Sequence, residues 1–85
     1  MHPRIKLLEI ILSPNYTGLT TVDLSDLIYE LPVVPKHKRM FVINTVSKLI
    51  QRGFLKRDGF IVLPNAATND YYKFLINHRF KNKDV

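Results

Sequence analysis

Apolar residues recur along this chain with a helical period in four places and as short continuous runs in two. In residues 3–13, Ile5, Leu8, Ile11 and Leu12 fall at i, i+3, i+6 and i+7, and Leu7 and Ile10 widen the stripe. Pro3 suits a first helical turn, where its missing N–H costs nothing. Ser13-Pro14-Asn15 ends the run, because the residue before a proline is pushed out of helical space. Residues 16–20 contain Gly18 and read as a loop with a short extended piece around Leu19. A second helix is expected over residues 22–31, capped by Thr20 or Thr21, with Asp23 in its first turn and Leu24, Leu27, Ile28 and Leu31 buried.

Pro32-Val33-Val34-Pro35 interrupts the chain as a short rigid turn. The third helix is expected from Lys36 or Lys38 to Arg52. On a 3.6-residue wheel Val42, Val46, Leu49 and Ile50 converge on one face, with Ile43 at its margin. Met40, Asn44, Ser47, Lys48 and Gln51 lie opposite, in line with His37, and Phe41, Thr45 and Arg52 fall on a flank, Phe41 as packing against the first helix. Gly53 supplies the left-handed stop. Residues 54–57 and 60–63 then read as two strands joined at Asp58-Gly59, a strong hairpin signal. A fourth helix, about residues 69–81, is capped by Thr68 or Asn69 and is apolar over more than one face through Tyr71, Tyr72, Phe74, Leu75, Ile76 and Phe80.

These elements imply one domain over residues 1–85, α+β but mainly α, with its core in residues 3–64 and a C-terminal helix added. Glu9 breaks the apolar N-terminal run and no small-residue cleavage site follows, so no signal peptide is expected. No run approaches the ~20 apolar residues of a membrane span, so no membrane is expected as a partner and the location expected is cytoplasmic. The absence of cysteine removes disulfides, thiolate metal sites and Cys nucleophiles.

Charge changes the picture more than composition does. Residues 1–35 carry a net −2 and residues 58–85 a net +1, whereas residues 36–57 hold seven Lys and Arg and no acid. A polyanion is the natural partner of such a segment. Lys36, His37, Lys38 and Arg39 cluster at the start of the third helix, Arg52 lies at its end, and Lys56 and Arg57 precede the hairpin turn. These are candidate phosphate contacts. Asn44, Ser47, Lys48 and Gln51 form a polar face of the type that reads base edges, since Asn and Gln pair with adenine and Lys with guanine.

The order of elements, with the runs LTTVDLSDLI and VSKLIQRGFLKRDGFIVL, resembles the winged-helix branch of the helix-turn-helix superfamily and looks like the MarR-like pattern. The resemblance covers about residues 3–64. It implies three helices with a two-stranded wing, sequence-specific binding of double-stranded DNA with the third helix in the major groove, transcription regulation, and a nucleoid location. Two departures stand out. The turn before the third helix is longer than usual and holds two prolines, and the wing tip is only two residues, too short for extended minor-groove contacts.

Enzymatic chemistry is not expected. His2, His37 and His78 lie far apart without a second ligand at metal spacing, and the three glycines form no phosphate loop, so neither metal nor cofactor is implied. The alternative function is a winged-helix interaction module, docking as adaptor or inhibitor on an acidic surface of a larger protein. The aromatic surplus of the fourth helix also implies a homodimer through Tyr71, Tyr72, Leu75, Ile76 and the first helix, matching a palindromic site. Closure of a monomer's own core is the other use of that surface.

Overall fold

A computed structural model describes residues 2–83, with side chains described through His78. Phe80, expected on the apolar face of the last helix, has a side chain outside the described ones. The chain is mainly helical with one two-stranded antiparallel sheet, ordered α1 (Pro3–Leu12), α2 (Thr21–Tyr29), α3 (Lys36–Gln51), β1 (Leu55–Asp58), β2 (Ile61–Pro64) and α4 (Thr68–Lys83). Among the described residues no helix is long and apolar enough to cross a membrane.

The core is drawn from every element before α4. Leu7, Leu8 and Ile11 of α1 meet Leu24 and Ile28 of α2, Val42, Val46 and Leu49 of α3, and Leu55 and Val62 of the hairpin. Pro3 opens α1 as expected, and the His2 Nδ1 accepts from the Arg4 N–H at 3.2 Å, a cap not anticipated. Ile5 and Leu12, expected in the α1 stripe, are only half-buried.

Helix α2 departs further from expectation. Thr20 caps it, its Oγ1 accepting from the Asp23 N–H at 3.2 Å. Leu27 and Leu31, expected in the core, are 47% and 41% exposed. The buried stripe of this helix is Leu24, Ser25 and Ile28, which leaves Leu27 on the flank. Helical periodicity ends at Tyr29, and Glu30 turns left-handed at φ 52°, so Leu31 leaves the wheel that placed it inside. Ser25 is buried instead, its hydroxyl satisfied by donating to the Val22 carbonyl at 2.7 Å.

Helix α3 buries Val42, Thr45, Val46 and Leu49; Thr45, expected on a flank, joins the core face, and Ile50 is half-buried. Phe41 is exposed rather than packed on α1. At its end the Phe54 N–H reaches the Leu49 carbonyl at 2.9 Å and the Gly53 N–H reaches Ile50 at 3.1 Å. With Gly53 at φ +83° this is a Schellman stop, as the glycine implied.

The hairpin forms one residue later than expected. Asp58 pairs with Ile61, so the two-residue loop is Gly59-Phe60 rather than Asp58-Gly59. Gly59 has φ +60° and Phe60 is not left-handed, the pattern of a turn with glycine first. The shift matters because it lifts Phe60 out of the strand and onto the tip.

The extended piece around Leu19 exists and has a partner. Leu19 bridges Val62, with the Val62 N–H donating to the Leu19 carbonyl at 2.9 Å. The Tyr16 hydroxyl closes this junction by donating to the Val62 carbonyl at 2.5 Å and accepting from the Leu19 N–H at 2.8 Å. Gly18 fits here for two reasons: its φ is +115°, and a Cβ would sit 2.5 Å from Ile61 Cγ2.

Helix α4 lies on α1 and closes the structure. Thr68, fully buried, donates from Oγ1 to the Phe54 carbonyl at 2.6 Å and accepts from the Asn65 N–H at 2.8 Å. The Tyr71 ring stacks on Phe54 at 4.3 Å, and the Tyr72 hydroxyl donates to Glu9 of α1 at 3.1 Å. Tyr71, Tyr72 and Leu75 therefore spend part of their surface inside the chain.

Candidate nucleic-acid interface

The outward side of α3 is set by its buried side. With Val42, Val46 and Leu49 turned inward, a 100° step per residue places His37, Met40, Asn44, Lys48 and Gln51 on the opposite face. All five are exposed, and Ser47 at the margin is half-buried. The side chains of Asn44, Lys48 and Gln51 make no hydrogen bond or ion pair among the described residues, and all three are exposed. Arg52 lies just past the helix end and is exposed, as are Lys56 and Arg57 on β1.

The cationic cluster at the helix start divides into two pairs. Lys36 and His37 are exposed. Lys38 and Arg39 are half-buried and turned toward the connection from α2. The Lys38 ammonium stands 5.1 Å from the centre of the Tyr29 ring, a cation–π contact of about 0.5–1 kcal/mol at an open site. Arg39 donates through Nη2 to the Val34 carbonyl at 3.3 Å, holding the proline-flanked connection against α3. Both were candidates for phosphate; the structure gives them an intramolecular role.

Electrostatically the start of α3 is unusual. Its N-cap is Pro35, which offers no side-chain acceptor, and no acid lies in the first turn. Four basic or imidazole side chains occupy the helix end where the macrodipole is positive. The unpaired N–H groups and the cations therefore point the same sign of potential outward. Helix α2, by contrast, carries Asp23, Asp26 and Glu30 outside, and Glu30 pairs with Lys6 of α1 at 3.4 Å.

Two parts of the surface were not read from the sequence. Phe60 is 88% exposed at the hairpin tip. It lines an open groove of about 400 Å³ with Arg57 of β1, Val62 of β2, and Thr20, Thr21 and Val22 at the start of α2. The glycine at position 59 was the available signal, but placing it second in the turn hid the aromatic that follows. Comparison with protein-family models, with curated proteins and with solved structures finds no match to this chain.

Proposed function

We propose that this chain is a winged helix-turn-helix module that binds double-stranded DNA as a small transcriptional regulator, with α3 in the major groove. The fold supports this in its order of parts. Helices α2 and α3 form the two-helix unit, β1 and β2 form the wing, and Leu19 adds the short bridging strand beside Val62. The observation that carries the function is the start of α3, which has no side-chain cap, three Lys and Arg and no acid, followed by an outward face without an acid. Such an end is costly in the isolated chain and favourable against a phosphate, which accepts from free N–H groups and compensates the cations.

In this reading Lys36, His37, Arg52, Lys56 and Arg57 hold phosphates while Asn44, Lys48 and Gln51, with Ser47 beside them, meet base edges. With Lys38 and Arg39 engaged inside the chain, the exposed Lys and Arg of residues 36–57 assigned to phosphates are Lys36, Arg52, Lys56 and Arg57. At roughly −0.9 per charged phosphate contact, the slope of log K against log[salt] is then about −3.6. Titration of a duplex at several salt concentrations measures it. A slope near zero, or no duplex binding at low salt, refutes the proposal. Asn44→Ala should relax sequence preference at a cost of about 1–3 kcal/mol on the preferred site. An equal loss on every sequence would remove its base-reading role.

A homodimer across α4 and α1 belongs to the same proposal. Its support is the apolar surface that α4 still shows after packing, with Phe74 exposed and Ile76 half-buried. Sedimentation as a monomer at all concentrations removes it. A second reading, docking of the same basic face on an acidic protein, is favoured by Met40 and Phe41, both exposed beside the cations. Absence of duplex binding together with capture by an acidic partner would select it.

A further inference from the structure

We infer that Phe60 is a wedge that enters the base stack of bound duplex DNA at one step, so that the short hairpin kinks the DNA rather than lying along a groove. The inference rests on the DNA-binding reading above and adds to it a deformation of the ligand at a named residue.

A single exposed apolar side chain is ordinary on a protein surface. Phe60 is distinguished by where it stands. It occupies the second position of a two-residue turn whose geometry is satisfied by Gly59 alone, so the backbone makes no demand for an aromatic there. It is 88% exposed, the most exposed of the large apolar residues described, and lies outside the buried core cluster. Arg57 lines the same groove, and Lys56 is exposed on the same strand; Asp58, which closes the turn, is the one acid on the hairpin. An apolar ring beside cations is the arrangement that inserts between base pairs while neighbouring phosphates are held.

A wedge also needs a rigid mount. Two residues from Phe60, Val62 is fully buried and fixed on both sides of its peptide, through its N–H to Leu19 and its carbonyl to the Tyr16 hydroxyl. The strand pairing from Leu55↔Pro64 to Asp58↔Ile61 carries that anchorage to the tip. A two-residue loop is too short to track a groove, but an aromatic at its end reaches past the backbone. Apolar insertion of this kind typically bends a duplex by about 20–90°.

The test uses the full chain and mixed-sequence duplexes of about 30 base pairs, with 2-aminopurine placed in turn at the flexible TA and CA steps and fluorophores at the ends. Binding by the natural protein should raise 2-aminopurine emission several-fold at one step and bring the ends closer. Phe60→Ala should abolish both signals while lowering affinity by less than about tenfold (~1.4 kcal/mol). Phe60→Leu, which keeps an apolar wedge, should preserve part of them. Because residue 60 is exposed, circular dichroism and unfolding of the variants should match the parent. Binding with no emission change at any step, or a change that survives Phe60→Ala, overturns the wedge and leaves the DNA-binding reading standing. Failure to bind any duplex overturns both.

Discussion

The start of α3 makes a prediction in which stability and binding move in opposite directions. Lys36 is exposed at the first position of a helix whose cap, Pro35, accepts no hydrogen bond and whose first turn contains no acid. Lys36→Glu removes an unfavourable charge–dipole interaction and adds a favourable one, each worth about 0.3–1 kcal/mol. It also places a carboxylate three residues before Arg39, a pairing worth about 0.2–0.5 kcal/mol where the guanidinium is free to respond. Arg39 already holds Val34, so that increment is discounted. The net expectation is about 1 kcal/mol of added stability, or roughly 4–8 °C in Tm for a domain of this size. If α3 binds duplex DNA as proposed, the same change removes a charged phosphate contact worth about 1.5–3 kcal/mol. The salt slope becomes shallower by about 0.9. Thermal unfolding and salt-dependent duplex titration read the two effects separately, with Lys36→Gln expected between parent and Glu in both. A lower Tm refutes the account of the helix end. A higher Tm with unchanged affinity and slope shows that the end is strained without meeting phosphate.

Four further outcomes concern the loop, α2 and the hairpin. Tyr16→Phe leaves the Leu19 N–H and the Val62 carbonyl without the hydroxyl that joins them, and should cost about 1–3 kcal/mol in urea unfolding. The same hydroxyl makes the fold sensitive to alkali. Burial raises the Tyr16 pKa above 10.0, only partly offset by the Leu19 N–H, and burial raises Tyr29 and Tyr72 as well, the latter aided by Glu9. The folded chain thus binds these protons more tightly than the unfolded one, so their contribution is complete below the unfolded value and is lost as pH rises through the folded values. Denaturant midpoints should fall above pH ~10, less so in Tyr16→Phe; a flat profile would contradict the linkage. Gly18→Ala meets both a left-handed φ and a 2.5 Å contact with Ile61, and should destabilise by about 2 kcal/mol or more, with Ile61→Ala in the same chain recovering only the steric part. Glu30→Gly should stabilise by about 0.5–1 kcal/mol, because the left-handed φ of 52° favours glycine and the Lys6–Glu30 pair it removes is open to solvent on the Glu30 side. A fall in midpoint on that change would mean the ion pair outweighs the backbone term.

Helix positions were legible because their signals are local. Pro3 and Ser13-Pro14 bounded α1, Thr20 capped α2, Gly53 stopped α3, and the alternation of Val42, Val46 and Leu49 chose its inner face. The concentration of charge in residues 36–57 needed no coordinates either, since it is a property of the chain. The polar outward set of Asn44, Lys48 and Gln51 follows from the same wheel and is exposed as expected.

What required the tertiary structure was every feature set by a partner distant in sequence. Leu27 is as apolar as Leu24, and the placement of α1 and α3 around α2 leaves it at the surface, while the left-handed turn at Glu30 takes Leu31 out of the helix. Lys38 and Arg39 are indistinguishable in charge from Lys36, but Tyr29 and the Val34 carbonyl engage them, which no local rule reports. The hairpin register is the sharpest case. Asp58-Gly59 is the better turn pair locally, but the buried position of Val62, fixed by Leu19 and Tyr16, selects Gly59-Phe60 instead. Because strand side chains alternate, that one-residue choice is the difference between an aromatic within a strand and one at the tip. The sequence determined by itself which segments are helical and where the charge lies; packing decided which of those charges, and which aromatic, are left exposed.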